Sequence, residues 1–442
     1  MIRYLFPLIL QTFNLILLSF SPNNDYLFKF TEIVFLFFYF HLLISSFKKN
    51  SFLSLYSFFL LTSSFFLFNR IFLDIFSYKD YLHLVFPAVY DITKETASYV
   101  IFVFTIVYSL IDFGYYRKNY LLRIREPCIP ELYSKLLFLL LIILYPLVLY
   151  RHYLIFRFVQ QVGYIQFTFL KSELPIPAYL SHVGGIFYLL FFSLLLTKPE
   201  KKIVNISLIM YLIQALGNSI KGSRSAFGYS LIFVIFFYFK YNNKKFKFRY
   251  ITYIFILFIL FYFISSLNRG NNDVSKESSI FNLIFLILYE QGISISIPFI
   301  HIQNFVNFFN PFEIPYLISD YLRSIVGLDI RAAVDLSEFI APGARARGFG
   351  LGYSFINEII DLGLLGLVAS YFFGKIIKFI DTNFFRVFYL IPFFSVCFMY
   401  CVYAPRHFLL YFLAPECVTW YLLPIFAYII IKMLFKYIRR QR

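Results

Sequence analysis

The chain has 442 residues, of which 60% are hydrophobic and 14% are charged, and its mean hydropathy is +0.74. A soluble globular protein has about 25% charged residues, so this composition excludes a soluble fold that buries its apolar side chains in one core. The net charge of +17 could indicate nucleic-acid binding, but the basic residues lie between apolar stretches, as in the loops of a membrane protein. No nucleic-acid partner is therefore expected.

Apolar stretches of about 20 residues recur along the chain, and this is the length that a helix needs to cross a bilayer. Helices satisfy their own backbone polar groups in lipid, so the predicted fold class is an all-α polytopic membrane protein. The first stretch has no small-residue cleavage site, which favours a retained helix over a signal peptide. Twelve spans are predicted near residues 4–20, 26–47, 51–68, 96–116, 136–150, 179–197, 203–219, 225–240, 251–266, 353–377, 387–404 and 408–434.

These spans predict three regions. Residues 1–266 would hold spans one to nine, residues 267–352 one large outer loop, and residues 353–442 the last three spans and a basic tail. Lys and Arg are concentrated in the loops after the even-numbered spans, whereas most acidic side chains fall in the alternate loops. Because cytoplasmic loops carry an excess of Lys and Arg, both termini are predicted to be cytoplasmic.

The start of the large loop contains one ambiguous apolar segment, Phe281–Tyr289. A single extra crossing there would place Lys378 and Arg386 outside, against the charge pattern. Glu290, Gly292 and Pro298 also interrupt the segment, so an interfacial or re-entrant helix is predicted. Further along the same loop, apolar residues recur at three- and four-residue spacing, which indicates amphipathic helices on the membrane surface or the helix bundle.

The predicted outer segments are rich in arginine, which is unusual because cytoplasmic loops normally carry most of the positive charge. Most of these arginines are expected to pair with acids of the same loops or with lipid headgroups. They are Arg70, Arg151, Arg157, Arg224, Arg269, Arg323, Arg331, Arg345, Arg347 and Arg406.

Two of these arginines lie in tight turns between spans. Arg224 lies between the seventh and eighth predicted spans, and Arg406 between the last two. An unpaired charge near hydrocarbon is costly, and the planar fork of a guanidinium suits phosphate oxygens. Together with Arg345 and Arg347 of the stretch PGARARGFG, these side chains are predicted to converge on a diphosphate at the membrane surface.

The tenth predicted span begins with the acidic segment NEIIDLGLLG. Its Glu358 and Asp361 are either a general base or ion-pair partners for Arg345 and Arg347, and both interpretations stay open. The preceding glycines would let backbone approach a ligand, yet they match neither a P-loop nor a Rossmann fingerprint.

Neither the six histidines nor the four cysteines are spaced as in a metal site, so no metal or cofactor is expected. His407, next to Arg406, is a second candidate base. A histidine at the start of a helix is, however, more often a cap or interface residue.

Three patches in the second half of the chain resemble the Wzy-type O-antigen polymerases. They are GSRS at Gly222–Ser225, GFGLGYSFINEIIDLGLLG at Gly348–Gly366 and YAPRH at Tyr403–His407. By position, Arg224 corresponds to the arginine of a small-residue hairpin, Glu358 to the acid before a glycine-punctuated helix, and Arg406 to the arginine between the last two spans. Which of Arg345 and Arg347 aligns with a family basic residue stays open. The first 200 residues are similar only in spanning the membrane.

The resemblance implies about a dozen spans, a large periplasmic loop and a fold like that of C-type glycosyltransferases. It also implies that two undecaprenyl-diphosphate-linked oligosaccharides react at the periplasmic face of the bacterial inner membrane, without a metal. The arginines would stabilise the departing diphosphate, and Glu358 or His407 would accept the proton of the attacking hydroxyl. Lipid-linked oligosaccharides, membrane lipid and a chain-length regulator are the implied partners.

Two other functions compete with a polymerase. An O-antigen ligase uses the same kind of donor with a different acceptor. A lipid-linked oligosaccharide transporter also suits twelve spans, but transporters place ionisable groups near the middle of the membrane and often contain inverted repeats. In this chain the predicted charges gather at the outer ends of the spans.

Overall fold

A computed structural model describes residues 2–22, 24–50, 52–76, 80–84, 90–118, 120–124, 131–162, 176–220, 224–244, 246, 280–304, 354–407 and 415–441. Within these ranges the protein is helical, apart from two strands of two residues each. These strands pair antiparallel, with His83 opposite Asp91 and Leu84 opposite Tyr90. The predicted ninth span and most of the predicted large loop, including its amphipathic helices, lie outside the described residues.

The elements of the first part of the chain follow the predicted order. They are α1 (Ile2–Phe20), α2 (Asp25–Asn50), α3 (Leu55–Ser63), a π-helical turn (Ser64–Phe68), α4 (Asn69–Ile75), β1 (His83–Leu84), β2 (Tyr90–Asp91), α5 (Lys94–Tyr116), α6 (Glu131–Val162), α7 (Ala178–Ser181), α8 (Val183–Leu196), α9 (Lys201–Ile220) and α10 (Arg224–Tyr241).

The elements of the second part include several short helical turns. They are α11 (Ile280–Gln291), a 3-10 turn (Gly292–Ile295), α12 (Ser296–Asn304), α13 (Phe355–Asp361), α14 (Leu364–Asn383), a 3-10 turn (Phe388–Leu390), α15 (Ile391–Tyr403), a 3-10 turn (Ala404–Arg406) and α16 (Pro415–Gln441).

Eight helical stretches in the described ranges are long and apolar enough to cross a membrane. They are Arg3–Phe20, Asp25–Asn50, Leu55–Ile75, Lys94–Tyr116, Glu131–Val162, Tyr179–Leu196, Ile284–Asn304 and Phe388–Arg406. Phe227–Tyr241 and Cys417–Met433 are shorter apolar helices. A polytopic membrane protein is therefore confirmed, whereas the number of twelve spans stays a prediction.

Two helices extend further than the hydropathy pattern indicates, and this moves three arginines. The third predicted span continues to Ile75, so Arg70 lies on α4 and not in a loop. The fifth continues to Val162, so Arg151 and Arg157 lie on α6. Hydropathy alone ends a span at its first charges, whereas a helix continues wherever packing can accommodate them.

The segment that begins the predicted large loop is also longer than expected. α11, a 3-10 turn and α12 form one helical stretch from Ile280 to Asn304. The 3-10 turn accommodates Gly292, and Pro298 lies in the first turn of α12, where its missing N–H has no helical partner to lose. The predicted interruption at Gly292 is thus present as a 3-10 turn, but the helical stretch continues beyond it through Pro298. The position of the segment relative to the membrane stays a prediction.

The described residues pack into two compact units. The first comprises Met1–Asn119, Glu277–Phe379 and Cys401–Leu410. The second comprises Tyr120–Lys276, Ile380–Tyr400 and Tyr411–Arg442. Each unit draws on distant parts of the chain, so the division by spans at residues 266 and 352 describes expected membrane topology and stays a prediction.

Aromatic side chains form the core of the first unit. The ring of Phe59 on α3 stacks on Tyr108 of α5 at 5.8 Å and meets Phe355 of α13 edge-on at 5.4 Å. Phe373 of α14 packs edge-on against the same ring at 5.3 Å. Edge-on and offset contacts are the arrangements that aromatic pairs favour. This cluster fixes the short helix α13 against three longer helices.

The second unit has a similar core. Tyr211 of α9 stacks on Phe191 of α8 at 4.7 Å and meets Phe233 of α10 edge-on at 5.7 Å. Its hydroxyl donates to the sulfur of Met399 on α15 at 2.9 Å. One tyrosine therefore connects four helices of this unit.

Two glycines let α5 and α14 approach closely in the first unit. A Cβ atom at Gly114 would overlap the carbonyl oxygen of Tyr371, and one at Gly374 would overlap the carbonyl oxygen of Ile111. Small residues at helix crossings are typical of membrane proteins, where close backbone approach supplies packing energy.

Gly374→Ala should destabilise the first unit because its added methyl group collides with backbone and not with a movable side chain. The expected cost is about 1–3 kcal/mol, as for other overpacked sites, measured as a lower thermal midpoint of the purified protein. Gly185→Ala is the matched control, because a Cβ there meets nothing within 4 Å. Equal midpoints for the two variants would contradict the close crossing.

Candidate active site in the first unit

The short helix α13 is fixed at both ends. At its start, Oδ1 of Asn357 accepts hydrogen bonds from the backbone N–H of Ser354 at 3.2 Å and from the Ser354 hydroxyl at 3.0 Å. At its end, Gly363 adopts a left-handed conformation with φ of 53° and donates to the carbonyl of Ile360 at 2.9 Å. The tenth predicted span is therefore broken into α13 and α14, which corrects the expectation of one continuous helix.

A second glycine holds α13 against α14. A Cβ atom at Gly366 would overlap the carbonyl oxygen of Ile359. The glycines of the sequence LGLLG thus have separate functions, one in the turn and one in the close contact. All seven residues of α13 are buried as a result.

A buried polar chain connects α13 to α12. The amide nitrogen of Asn357 lies 3.2 Å from Nδ1 of His301, and Nε2 of His301 lies 3.0 Å from Oδ1 of Asp361. Because the oxygen of Asn357 already accepts from Ser354, its amide nitrogen must face the imidazole, so Nδ1 is the acceptor. This places the imidazole proton on Nε2, the ring nitrogen nearer the carboxylate, although the contact between Nε2 and Oδ1 does not have hydrogen-bond geometry.

This arrangement resolves part of the ambiguity about the acids of α13. The side chains of His301 and Asp361 are only 6% and 3% exposed. Asp361 therefore has a histidine of α12 as one neighbour. Sequence analysis did not select His301, because the histidine and the acid are far apart in the chain and no local motif joins them.

Glu358 lies on the same helix, one residue after the asparagine of this chain, and is 5% exposed. α13 packs against the 3-10 turn Ala404–Arg406, which belongs to the same unit. The structure therefore brings the helix that carries Glu358 next to the turn that carries Arg406 and His407, although some forty residues separate them in the chain.

Arg406 is partly exposed and is held by neutral partners. Its Nη1 donates to the side-chain oxygen of Gln291 at the end of α11. Its guanidinium carbon lies 5.4 Å from the centre of the Phe66 ring, in the π-helical turn. No carboxylate of the described ranges forms an ion pair with Arg406. His407, also partly exposed, packs its ring against Tyr403 at 5.1 Å.

Three irregular helical turns meet at this place. The π-helical turn Ser64–Phe68 contacts both the 3-10 turn Gly292–Ile295 and the 3-10 turn Ala404–Arg406. π-helical segments inside α-helices occur frequently at functional sites. Their convergence with α13 defines the candidate site.

Of the other arginines predicted to bind the diphosphate, none has a described side chain. Arg224 is the first residue of α10 in the second unit, and only its backbone is described. Arg345 and Arg347 lie outside the described residues. The predicted convergence of these three side chains with Arg406 on a diphosphate stays a prediction.

No group of three His, Cys, Asp or Glu residues in the described ranges is arranged to hold a metal ion. Cys397, Cys401 and Cys417 are buried thiols that form no disulfide within the described residues. These thiols pack within the protein, as expected for small apolar side chains.

Asn357→Leu should destabilise the first unit, because it removes the cap of α13 and the donor that faces His301. A lost helix cap costs about 1 kcal/mol and a buried polar atom left without a partner about 1–3 kcal/mol. Ser370→Ala is the matched control, because that buried hydroxyl donates only to a carbonyl of its own helix, Gly366, at 2.7 Å. The thermal midpoints of the two purified variants measure both effects. A midpoint of Ser370→Ala as low as that of Asn357→Leu would contradict the assigned network.

The comparison with known protein families extends the resemblance from three patches to the full length. The family model described as O-antigen polysaccharide polymerase Wzy matches residues 1–442. No curated protein and no solved structure matches the chain. Since the family match covers every predicted span and both units, the chain belongs to the Wzy family of O-antigen polymerases, glycosyltransferase-type membrane enzymes that polymerise lipid-linked O-antigen repeat units.

Proposed function

We propose that the protein joins undecaprenyl-diphosphate-linked oligosaccharides at the periplasmic face of the inner membrane, with both of its termini in the cytoplasm. A hydroxyl oxygen at the nonreducing end of one oligosaccharide attacks the anomeric carbon of the other. A glycosidic bond forms, and the bond between the anomeric carbon and the diphosphate oxygen breaks. Undecaprenyl diphosphate leaves with the bonding electron pair, and the hydroxyl proton passes to a base of the protein.

The observation that carries this proposal is the environment of Arg406. In the described ranges its partners are an amide oxygen and an aromatic ring, and the adjacent helix carries the buried acids Glu358 and Asp361. A guanidinium not neutralised by a carboxylate can bind two phosphate oxygens in its planar fork. Such a preorganised donor stabilises the charge that develops on a departing diphosphate.

The family match and the resemblance in motifs supply the remaining roles. Arg224 and one or both of Arg345 and Arg347 would bind the same diphosphate, so that the arginines supply the positive charge without a metal. A chain-length regulator is a further proposed partner. The family match does not favour the ligase or the transporter.

Two candidates for the base lie near Arg406. Glu358 is buried on α13, which packs against the turn that holds Arg406, and His407 follows Arg406 directly. The resemblance in motifs also aligns Glu358 with the acid before a glycine-punctuated helix. We therefore favour Glu358 over the partly exposed imidazole of His407.

Arg406→Lys should shorten the polymer sharply, because lysine keeps the charge but loses the fork. Loss of a preorganised donor costs a factor of about 10²–10³ in rate. The measurement is the chain-length pattern of lipopolysaccharide on a gel, with the amount of protein in the membrane checked by immunoblot. Arg117→Lys is the matched control, because that exposed arginine contacts Phe113 on the far end of α5, away from α13.

The same gels separate the polymerase from a ligase. Loss of polymerisation leaves a single repeat unit on the lipid A core, whereas loss of a ligase leaves none. Arg224→Lys should give the same shortened pattern as Arg406→Lys. Long chains of normal length from a protein with Arg224→Ala and Arg406→Ala together would refute the proposal.

Glu358→Gln and His407→Gln distinguish the two candidate bases. Loss of a general base typically lowers the rate about 10²–10⁴-fold, so only the variant of the true base should lose polymer to that extent. We expect this of Glu358→Gln, with His407→Gln within about tenfold of the unmodified protein. The opposite result would assign the role to His407, and full polymer from both variants would exclude both residues.

A further inference from the structure

Arg70 lies next to the candidate site, although the sequence placed it in a loop. It is the second residue of α4, directly after the π-helical turn that contacts Arg406, and it is 4% exposed. A charged side chain buried in a membrane protein is costly and usually marks a functional position or an ion pair. Its partners decide between these possibilities.

All the described hydrogen-bond partners of Arg70 are neutral. Its Nε donates to the carbonyl oxygen of Tyr289 at 3.0 Å, and its Nη1 donates to the hydroxyl of Ser296 at 3.1 Å. The guanidinium also lies 4.2 Å from the centre of the Tyr289 ring. Two of its five N–H groups are thus used, and the other three have no acceptor within the described ranges.

One acid lies near this charge without forming an ion pair with it. Glu290 follows Tyr289 in the chain and attracts the guanidinium electrostatically, but neither it nor any other carboxylate of the described ranges lies within ion-pair distance of Arg70. Neutral hydrogen bonds and an aromatic face offset only part of the cost of burying a guanidinium.

Arg70 and Arg406 are held by the same short segment of chain. Arg70 binds Tyr289 and Ser296, and Arg406 binds Gln291 between them. Gly292 makes room for this arrangement, since a Cβ atom there would lie 2.9 Å from Cγ of Arg70. The segment of residues 289–296 therefore positions two guanidinium groups that form no ion pair with a carboxylate of the described ranges.

We infer that Arg70 is a second binding residue for the diphosphate of the lipid-linked substrate, acting together with Arg406. This rests on the proposed function and deepens it, because it assigns a second cation to the same site within the first unit. A diphosphate carries several negative oxygens, so two guanidinium groups can each bind a phosphate through charge-assisted hydrogen bonds. A lipid monophosphate would engage only one of them.

The experiment measures binding to the full-length protein in nanodiscs of uncharged phospholipid by isothermal titration calorimetry. The probes are farnesyl diphosphate, farnesyl monophosphate and inorganic pyrophosphate. Arg70→Gln should weaken binding of farnesyl diphosphate about 10- to 100-fold, which corresponds to the loss of one charge-assisted hydrogen bond. The same variant should weaken binding of farnesyl monophosphate by a smaller factor. The affinity of Arg70→Lys for farnesyl diphosphate should lie between those of Arg70→Gln and the unmodified protein. Arg117→Gln, which changes an exposed arginine of the same unit, should bind farnesyl diphosphate like the unmodified protein.

The outcomes separate the inference from the proposed function. If Arg406→Ala weakens binding of farnesyl diphosphate and both Arg70 variants do not, Arg70 only ties α4 to α11 and α12, and the inference fails alone. If the unmodified protein does not prefer the diphosphate over the monophosphate, both fail. If Arg70→Gln is not recovered from membranes, the affinity of Arg70→Lys for farnesyl diphosphate decides.

The probes also distinguish the source of the anion. Equal weakening of inorganic pyrophosphate binding supports the anion site with free pyrophosphate as its ligand, and weakening confined to the prenyl compound supports a lipid ligand.

Discussion

The packing of α13 against the turn Ala404–Arg406 joins the chemical groups of the first unit. This contact exists because α13 is a separate short helix, capped by Ser354 and Asn357 and ended by Gly363. If the tenth span were one continuous helix, the segment with Glu358 and Asp361 would follow the axis of α14. It could not then pack against the turn Ala404–Arg406 as α13 does. The break costs backbone hydrogen bonds, which the side-chain cap and the left-handed glycine restore.

The cores explain why so many aromatic residues occur in this chain. In lipid, apolar side chains gain little by contacting one another instead of the bilayer, so helices associate through close packing and polar contacts. Rings such as Phe59 and Tyr211 connect several helices each, and glycines let α5 and α14 approach closely. These buried rings are therefore structural and position the short turns that carry the charges.

Two charged side chains of the first unit, Asp112 and Arg406, have different kinds of partners. Asp112 on α5 is fully buried and satisfied by Arg3, Tyr4 and Tyr56, so that its charge is neutralised by a cation and two hydroxyl donors. Arg406, by contrast, has neutral partners within the described ranges. A protein that neutralises one buried charge so completely, and leaves another guanidinium without an ion pair to any described carboxylate, keeps that guanidinium available for an anion. This contrast supports a binding role more strongly than burial alone.

The sequence alone determined the membrane environment, the helical class and the family, because apolar length, backbone satisfaction in lipid and short motifs are local properties. It also selected Glu358, Arg406 and His407, which adjoin recognisable motifs. Only the tertiary structure decided that α13 is a separate helix and that His301 faces Asp361 from another part of the chain. It also decided that Arg70 lies on a helix, because a charge ends a hydropathy window but not a helix whose neighbours supply its hydrogen bonds.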